Sequence, residues 1–187
     1  MKRFFASLLE VLEVALVALG AVFLIRTFLV QPFLVSGASM APTFENGDYL
    51  LVDEVSYQFR EPHRGEVVVF RYPNDESTFF IKRVIGLPGD TVEFQNGKVK
   101  IVNAAHPEGF FINETYLPGS VVTNSRPGRE TTITVKEGEY AVLGDNRSYS
   151  FDSRDWGVVK KTEVIGMVRL RLWPVLDAKV FAAPAGE

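Results

Sequence analysis

Phe79-Phe80-Ile81-Lys82-Arg83-Val84-Ile85 has the pattern of a β-strand. Successive side chains of a strand point to opposite faces, so Lys82 shares one face with apolar residues and Arg83 shares the other. A run that is apolar on both faces is typical of a strand that is covered on both sides. Two interpretations of Lys82 follow. Either the strand lies at a sheet edge and the amine reaches water, or the lysine is desolvated and its pKa falls, because burial disfavours the charged form.

Short runs of the same kind surround this stretch and are separated by Gly and Pro. Asn96-Gly97 lies between two of them and is a strong signal for a hairpin turn. Several short strands with little helical periodicity predict a mostly β domain with an antiparallel, barrel-like or sandwich architecture. Residues 103–129 are irregular and rich in Gly, Pro and Asn, which indicates an excursion from the sheet. The predicted strands are Tyr49–Val55, Glu66–Arg71, Phe79–Ile85, Thr91–Gln95, Lys98–Val102, Thr131–Val135, Tyr140–Leu143 and Ile165–Trp173.

The N-terminal segment has a different pattern. Leu8–Ile25 is apolar apart from two glutamates, and a helix of this length rises about 27 Å, close to the thickness of a bilayer core. We therefore predict a single uncleaved transmembrane helix with its core at Val11–Phe28, within an anchor of residues 1–30. The alternatives are a buried core helix, a cleavable signal peptide, which lacks its small-residue exit here, and an interfacial helix, which lacks a persistent polar face. Lys2 and Arg3 favour a cytoplasmic N-terminus.

Composition argues against several classes of function. The chain of 187 residues has a net charge of -3, so there is no basic excess to neutralise a phosphate backbone, and we expect no nucleic-acid partner. The absence of cysteine excludes disulfides, thiolate metal sites and a cysteine nucleophile. A serine–histidine–aspartate triad would need His63 or His106, and both lie in contexts typical of surface histidines. We expect neither a metal ion nor another cofactor.

Ser39 and Lys82 are the candidate reactive pair. Ser39 lies in the segment Ser36–Thr43, where Gly37 and Ala38 leave the neighbouring backbone open to a peptide substrate. Taken alone, a serine in such a turn is most often structural. A lysine whose pKa is lowered could nevertheless take the proton of the serine as a general base.

Residues 144–154 form a polar segment directly after an apolar run. One interpretation is a solvated loop. The other is that its charges pair with cations buried upstream. A pair between Asp145 and Arg83 would remove the cost of burying that guanidinium group.

Four ordered segments resemble bacterial type I signal peptidases, a family of Ser-Lys dyad serine proteases. Together with the apolar N-terminus, they extend the resemblance over nearly the whole chain. The segments are Ser36–Thr43, Gly47–Val52, Lys82–Asp90 and Gly144–Arg154.

The resemblance implies a role for individual residues. Ser39 would be the nucleophile, Lys82 the general base, and Ser150 the hydroxyl that hydrogen-bonds the lysine amine and orients it. The backbone N–H of Ser39 would belong to the oxyanion hole. Gly37 stands near that hole, where some relatives supply a second donor from a serine hydroxyl. The implied structural pairs around the site are Asp145 with Arg83 and Asp152 with Arg154.

The implied architecture is an N-terminal transmembrane helix followed by a β-rich catalytic domain of the signal-peptidase and repressor-peptidase kind. Residues 31–95 and 137–187 would form its core, residues 96–136 a small inserted subdomain, and an exposed apolar surface would face lipid. The implied reaction is endoproteolytic removal of signal peptides from exported preproteins. It would occur after small residues of the A-x-A type, at the outer face of the cytoplasmic membrane.

The implied partners are those signal peptides and the lipid bilayer. Three alternatives stay open on the residues alone: a self-cleaving peptidase of the repressor type, a related organelle or conjugation-linked peptidase, and a non-enzymatic membrane-tethered β-domain. The oligomeric state stays open as well.

Overall fold

The computed structural model describes residues 10–20 and 30–181. Residues 10–20 form a helix, α1, whose apolar side chains are exposed. The remainder of the predicted transmembrane core Val11–Phe28, residues 21–28, lies outside the described residues. Within the two described ranges, no helix is both long enough and apolar enough to cross a membrane.

Residues 30–181 form two antiparallel sheets and two short helices, α2 (Ser56–Phe59) and α3 (Ser153–Trp156). The strands are β1 Val30–Leu34, β2 Tyr49–Asp53, β3 Val67–Tyr72, β4 Asp75–Gly86, β5 Thr91–Gln95, β6 Lys98–Val102, β7 Phe110–Phe111, β8 Thr132–Thr134, β9 Glu139–Leu143, β10 Val159–Lys160, β11 Val164–Trp173 and β12 Lys179–Val180. In the larger sheet the order is β1-β2-β11-β3-β4-β9-β10, with β12 beside β11. The smaller sheet has the order β7-β6-β5-β8.

The prediction of a mostly β domain is confirmed, and each predicted strand is present with small shifts at its ends. The largest shift is in β4, which begins at Asp75 because its tight hairpin with β3 closes at the pair Tyr72–Asp75. β1 was not predicted as a strand. The smaller sheet begins with β5 at Thr91, before the predicted boundary of the inserted subdomain at residue 96, and that boundary stays a prediction.

Alternate residues of β3 enter two different cores, which explains why its sequence is continuously apolar. Val67 and Val69 pack on one side of the larger sheet, and Val68 and Phe70 pack on the other. β4 lies between β3 and β9, and its Lys82 is only 4% exposed. The interpretation of Lys82 as an edge-strand residue that reaches water is therefore wrong, since β4 lies inside the sheet and is buried from Lys82 to Gly86.

A third core joins the two sheets at the end of β4. Ile85 and Leu143 of the larger sheet pack there with Val92 of the smaller sheet. A side chain at Gly86 would place its Cβ 2.6 Å from a methyl carbon of Val92 and 2.9 Å from Cβ of Ala141, so the close approach of the sheets requires glycine. This packing fixes the segment of β4 that carries Lys82.

Exposed apolar side chains gather near β1 and the C-terminal end of β11. Leu34 lies opposite Tyr49 in the β1–β2 pair, and Tyr49 lies opposite Trp173 in the β2–β11 pair. Each of the three is about half exposed, and Leu176, in the 3-10 turn Val175–Asp177 after β11, is 99% exposed. We call Leu34, Tyr49, Trp173, Val175 and Leu176 the apolar patch.

Candidate active site

Ser39 lies in the loop of residues 35–48 that connects β1 to β2. The N–H of Phe44 donates to the carbonyl of Met40 at 2.9 Å, and both side chains are buried in the first core, so the loop is anchored behind the serine. Gly37 has φ of +98°, a conformation that favours glycine, and its N–H donates to Oδ1 of Asn46 at 2.9 Å. Ser39 itself is half-buried and stays accessible.

The structure brings Ser39 and Lys82 together although 43 positions separate them in the chain. Nζ of Lys82 lies 2.8 Å from Oγ of Ser39, a hydrogen-bond distance. The amine also donates to the carbonyl of Ile81 at 2.9 Å, and it lies 5.2 Å from the ring centroid of Phe80. No carboxylate within the described ranges forms an ion pair with this buried amine.

The surroundings of Lys82 shift its protonation equilibrium towards the neutral amine. Burial lowers the pKa of Lys82 to about 8, while the carboxylates of Asp152 and Asp145 act in the opposite direction by stabilising the ammonium. A lysine with an ordinary pKa of about 10.4 is almost entirely protonated at neutral pH and cannot accept a proton. The lowered pKa leaves a usable fraction of free amine, and the hydroxyl of Ser39 is in position to donate to it.

Arg83, on the opposite face of β4, is paired as the sequence suggested. Its Nε and Nη2 donate to the two carboxylate oxygens of Asp145 at 2.8 and 2.6 Å, and Nη1 donates to the carbonyl of Gly65 at 2.7 Å. The hydroxyl of Thr43 donates to Asp145 at 2.5 Å. The carboxylate therefore connects β4 to the loop that carries Ser39.

Residues after β9 also hold the loop of Ser39. The N–H of Asn146 donates to the carbonyl of Ser39 at 3.0 Å, and its side-chain amide donates to the carbonyl of Ala38 at 3.0 Å. A Cβ at Gly144 would lie 2.5 Å from the carbonyl oxygen of Ser39 and would collide with the side chain of Ser150. The segment must therefore have glycine at this position to approach the nucleophile.

Ser150 lies beside this contact, but the structure does not contain its expected hydrogen bond to the lysine amine. Its side chain is buried, and within residues 10–20 and 30–181 its hydroxyl makes no hydrogen bond of normal geometry, although it lies near enough to the Asp152 carboxylate to help lower the pKa of that group. The expected pair of Asp152 with Arg154 is present at 2.8 Å. Burial tends to raise the pKa of the Asp152 carboxyl, but the bonds from Arg154 and from the N–H of Gly144 keep it below its ordinary value.

Comparison with known proteins identifies the family. The sequence profile described as signal peptidase, peptidase S26, matches residues 8–173. The chain belongs to the signal peptidase family S26. The chain is 37% identical over 157 residues to a Synechocystis protein named as a probable signal peptidase I-2, an alignment that spans 81% of this chain and 66% of that protein.

A second relative agrees with this family. A signal peptidase IB of Staphylococcus aureus is 32% identical over 184 residues, which span 92% of this chain and 93% of that protein. A crystal structure of a signal peptidase I from Enterococcus faecalis aligns with 35% sequence identity and a TM-score of 0.46 over 58% of this chain and 97% of that one. The predicted family and enzyme class, a type I signal peptidase and hence a serine peptidase, are confirmed.

A second set of contacts, which the sequence of this signal peptidase does not indicate, reaches the site from the irregular stretch 103–129. Glu114 accepts two hydrogen bonds from the fully buried guanidinium of Arg147, whose Nε donates to the carbonyl of Gly144 at 3.0 Å. The ring of Tyr116 lies 3.9 Å from the guanidinium carbon of Arg83. No sequence pattern links these residues, since their contacts depend on the path of an irregular segment.

The histidines do not take part in the site of this signal peptidase. His63 and His106 are both exposed, and the described partner of the Ser39 hydroxyl is Lys82. Within the described ranges, no cluster of three or more acidic or histidine side chains could hold a metal ion.

Proposed function

We propose that this chain removes signal peptides from exported preproteins with a catalytic dyad of Ser39 and Lys82. The observation that carries the proposal is the hydrogen-bond contact of 2.8 Å between the serine hydroxyl and an amine that is buried, has no ion-pair partner among the described residues and has a pKa lowered to about 8. A nucleophile beside a base of suitable pKa is the arrangement that acyl transfer requires.

In the proposed reaction, the neutral amine of Lys82 takes the proton of Ser39 as Oγ attacks the carbonyl carbon of the scissile peptide bond. The tetrahedral intermediate collapses, the C–N bond breaks, and the ammonium of Lys82 gives its proton to the departing amine. Water then attacks the acyl-enzyme, with Lys82 accepting a proton from it. The bond between the acyl carbon and Oγ of Ser39 then breaks, Lys82 returns the proton to Oγ, and the signal peptide leaves with a new C-terminal carboxylate.

The oxyanion of the intermediate would be stabilised by the backbone N–H of Ser39. The N–H of Gly37 already donates to Asn46, so it is not the second donor in this conformation. A serine at position 37 would have to adopt φ near +98°, which is strained for any residue other than glycine. We therefore propose that Gly37 shapes the loop next to the oxyanion hole and does not donate to it.

Ser150 is proposed to orient the amine of Lys82 when substrate is bound. Its buried hydroxyl makes no hydrogen bond of normal geometry within the described ranges, and a buried polar group without a partner is costly. A rotation of the lysine amine towards Ser150 during catalysis would supply that partner. The pairs of Asp145 with Arg83 and of Asp152 with Arg154 would keep the surrounding loops in place.

Cleavage after small residues of the A-x-A type, and action at the outer face of the cytoplasmic membrane, are part of the proposal. The apolar helix α1 and the apolar patch support contact with lipid, because exposed apolar groups of this extent are stabilised when they leave water. The anchor would be the helix predicted at Val11–Phe28. Extraction of the full-length chain from membranes by alkaline carbonate would contradict it.

The central experiment is cleavage of a precursor peptide with an A-x-A site by variants of the dyad. Ser39→Ala and Lys82→Ala should each abolish turnover, and the double variant should be no worse than either one, because residues that act as a unit lose activity non-additively. Lys82→Arg should also be inactive, since a guanidinium is not deprotonated at working pH. Lys98→Arg, an exposed lysine on β6, is the matched control and should be fully active. Near-normal cleavage by Lys82→Arg would exclude the lysine as the base.

A further inference from the structure

A cavity of about 530 Å³ lies between the larger sheet and the segment that leads into β8. Its aromatic wall consists of Tyr72, Phe151 and Trp156, and its lining also includes Arg129 and Glu130, which we call the rim. We call it the downstream pocket. Its volume is sufficient for a side chain of a peptide, since the volumes of ligand pockets are commonly about 300 to 1,000 Å³.

The downstream pocket is connected to Lys82 through aromatic contacts. The amine of Lys82 lies 5.2 Å from the ring centroid of Phe80. The ring of Phe80 in turn lies 4.9 Å from that of Tyr72 and 6.4 Å from that of Phe151, both of which line the pocket. A single ring therefore separates the amine from the pocket wall.

The chemistry of the dyad determines which side of the substrate faces this wall. The base that takes the proton of the serine must return it to the departing amine, so the nitrogen of the scissile bond has to lie beside Nζ of Lys82. The polypeptide that follows the cut leaves from that nitrogen. An extended chain advances about 3.3 Å per residue, so a segment that crosses the ring of Phe80 reaches the pocket about two to four residues after the cut.

Some charged residues that line the pocket already form ion pairs within the protein, and others do not. Asp155 pairs with Arg126 at 3.3 Å, and Arg154 pairs with Asp152, so these two lining residues are held by the protein itself. Arg129 and Glu130 are exposed and form no ion pair within the described ranges. The pocket thus combines an aromatic wall with two rim residues, Arg129 and Glu130, whose charges can interact with a bound peptide.

We propose that the downstream pocket binds the first residues of the mature protein, two to four positions after the cut, and takes an apolar side chain against Tyr72, Phe151 and Trp156. Arg129 and Glu130 interact with charged residues next to it. This assignment rests on the proposed dyad. It makes the enzyme sensitive to residues of the exported protein as well as to those of the signal peptide.

The test uses precursor peptides that share one signal-peptide half and differ in the third residue after the cut, which is Leu, Ala, Asp or Lys. For wild type, kcat/KM should be about tenfold higher for Leu than for Ala, which corresponds to burial of one branched aliphatic side chain. Phe151→Ala should reduce that preference to about twofold or less. Phe111→Ala, which removes a similarly exposed ring outside the pocket, is the matched control and should keep the wild-type preference.

The rim is tested by Arg129→Glu, a change at an exposed position that should not affect folding. In buffer of low ionic strength, it should shift the preference by about threefold from Asp towards Lys after the cut, because the rim becomes acidic. The shift should vanish in high salt. An unchanged ratio at low salt would contradict the charged rim.

A second substrate distinguishes an effect on the pocket from an effect on the dyad. It carries the same signal-peptide half but ends in a small chromogenic amide leaving group. It has no residues for the pocket, so Phe151→Ala should cleave it at the wild-type rate. Equal losses on this substrate and on every precursor peptide would overturn the proposal, because Phe151 would then only support the catalytic site. Retained cleavage by Ser39→Ala would instead refute the dyad, and with it the direction assigned to the substrate.

Discussion

The pKa of Lys82 makes the pH dependence of cleavage a quantitative test of the dyad. The neutral amine is the active form, so a pKa lowered from 10.5 to about 8 means that activity rises as pH increases through about 8 and then levels off. With that value, the neutral fraction is about 9% at pH 7 and about 91% at pH 9, so kcat/KM should increase about tenfold between them. An unshifted lysine would give a rise of nearly a hundredfold over the same range, with no plateau.

The assay is kcat/KM from pH 6 to pH 10 on a precursor peptide with a blocked N-terminus and no side chain that titrates in that interval. The kcat/KM profile reports ionisations of the free enzyme, which is the state that the structure describes. His63→Ala serves as the control and should leave the profile unchanged, because that histidine is exposed. A profile that is flat above pH 6, or one that follows His63, would refute the reasoning.

Three further variants separate stability from catalysis. Asp145→Ala leaves a buried guanidinium without its carboxylate and should lower the free energy of unfolding by about 3–5 kcal/mol in denaturant titration. Glu93→Ala removes a more exposed pair and should lower it by at most about 1 kcal/mol. Equal stability of the two variants would contradict the buried pair. Ser150→Ala deletes a hydroxyl that makes no hydrogen bond of normal geometry, so the thermal midpoint should hardly change while kcat falls roughly ten- to a hundredfold. An unchanged kcat would exclude a role of Ser150 in catalysis. Glu114→Ala should lower the thermal midpoint and kcat together through the loss of its pair with a buried arginine, while Glu108→Ala, exposed in the same irregular stretch, should match wild type.

Most strands of this protein were predictable because each one shows the short apolar pattern of a strand within its own sequence. β5 and β6 meet at the predicted positions because the turn Asn96-Gly97 fixes where β5 ends and β6 begins. β1 was missed because Pro32 interrupts its pattern. Proline is tolerated there because β1 lies at the edge of the larger sheet, which no local signal in the sequence indicates. The helices α2 and α3 are four residues each, too short to produce a helical period.

The residues of the candidate site were predictable to different degrees. Ser39, Lys82 and the pair of Arg83 with Asp145 could be named from their motifs, because each motif combines chemistry with its own local context. Glu114 could not be named, because its contact with the loop after β9 is made by an irregular segment and depends on the whole fold. Ser150 could also be named from its motif, but its proposed bond to the lysine amine is absent from the structure and requires the lysine to move.

The pKa of Lys82 is lowered by burial although two buried carboxylates act on the amine in the opposite direction. Asp145 and Asp152 both favour the ammonium form, and two unpaired carboxylates nearby would make the lysine a poor base. Each carboxylate instead accepts bonds to both of its oxygens from an arginine, Arg83 for the first and Arg154 for the second. Because a guanidinium stays charged at any working pH, these pairs compensate the carboxylates permanently and leave burial as the largest influence on the lysine. The two ion pairs therefore act on the electrostatics of the base as well as on the stability of the fold.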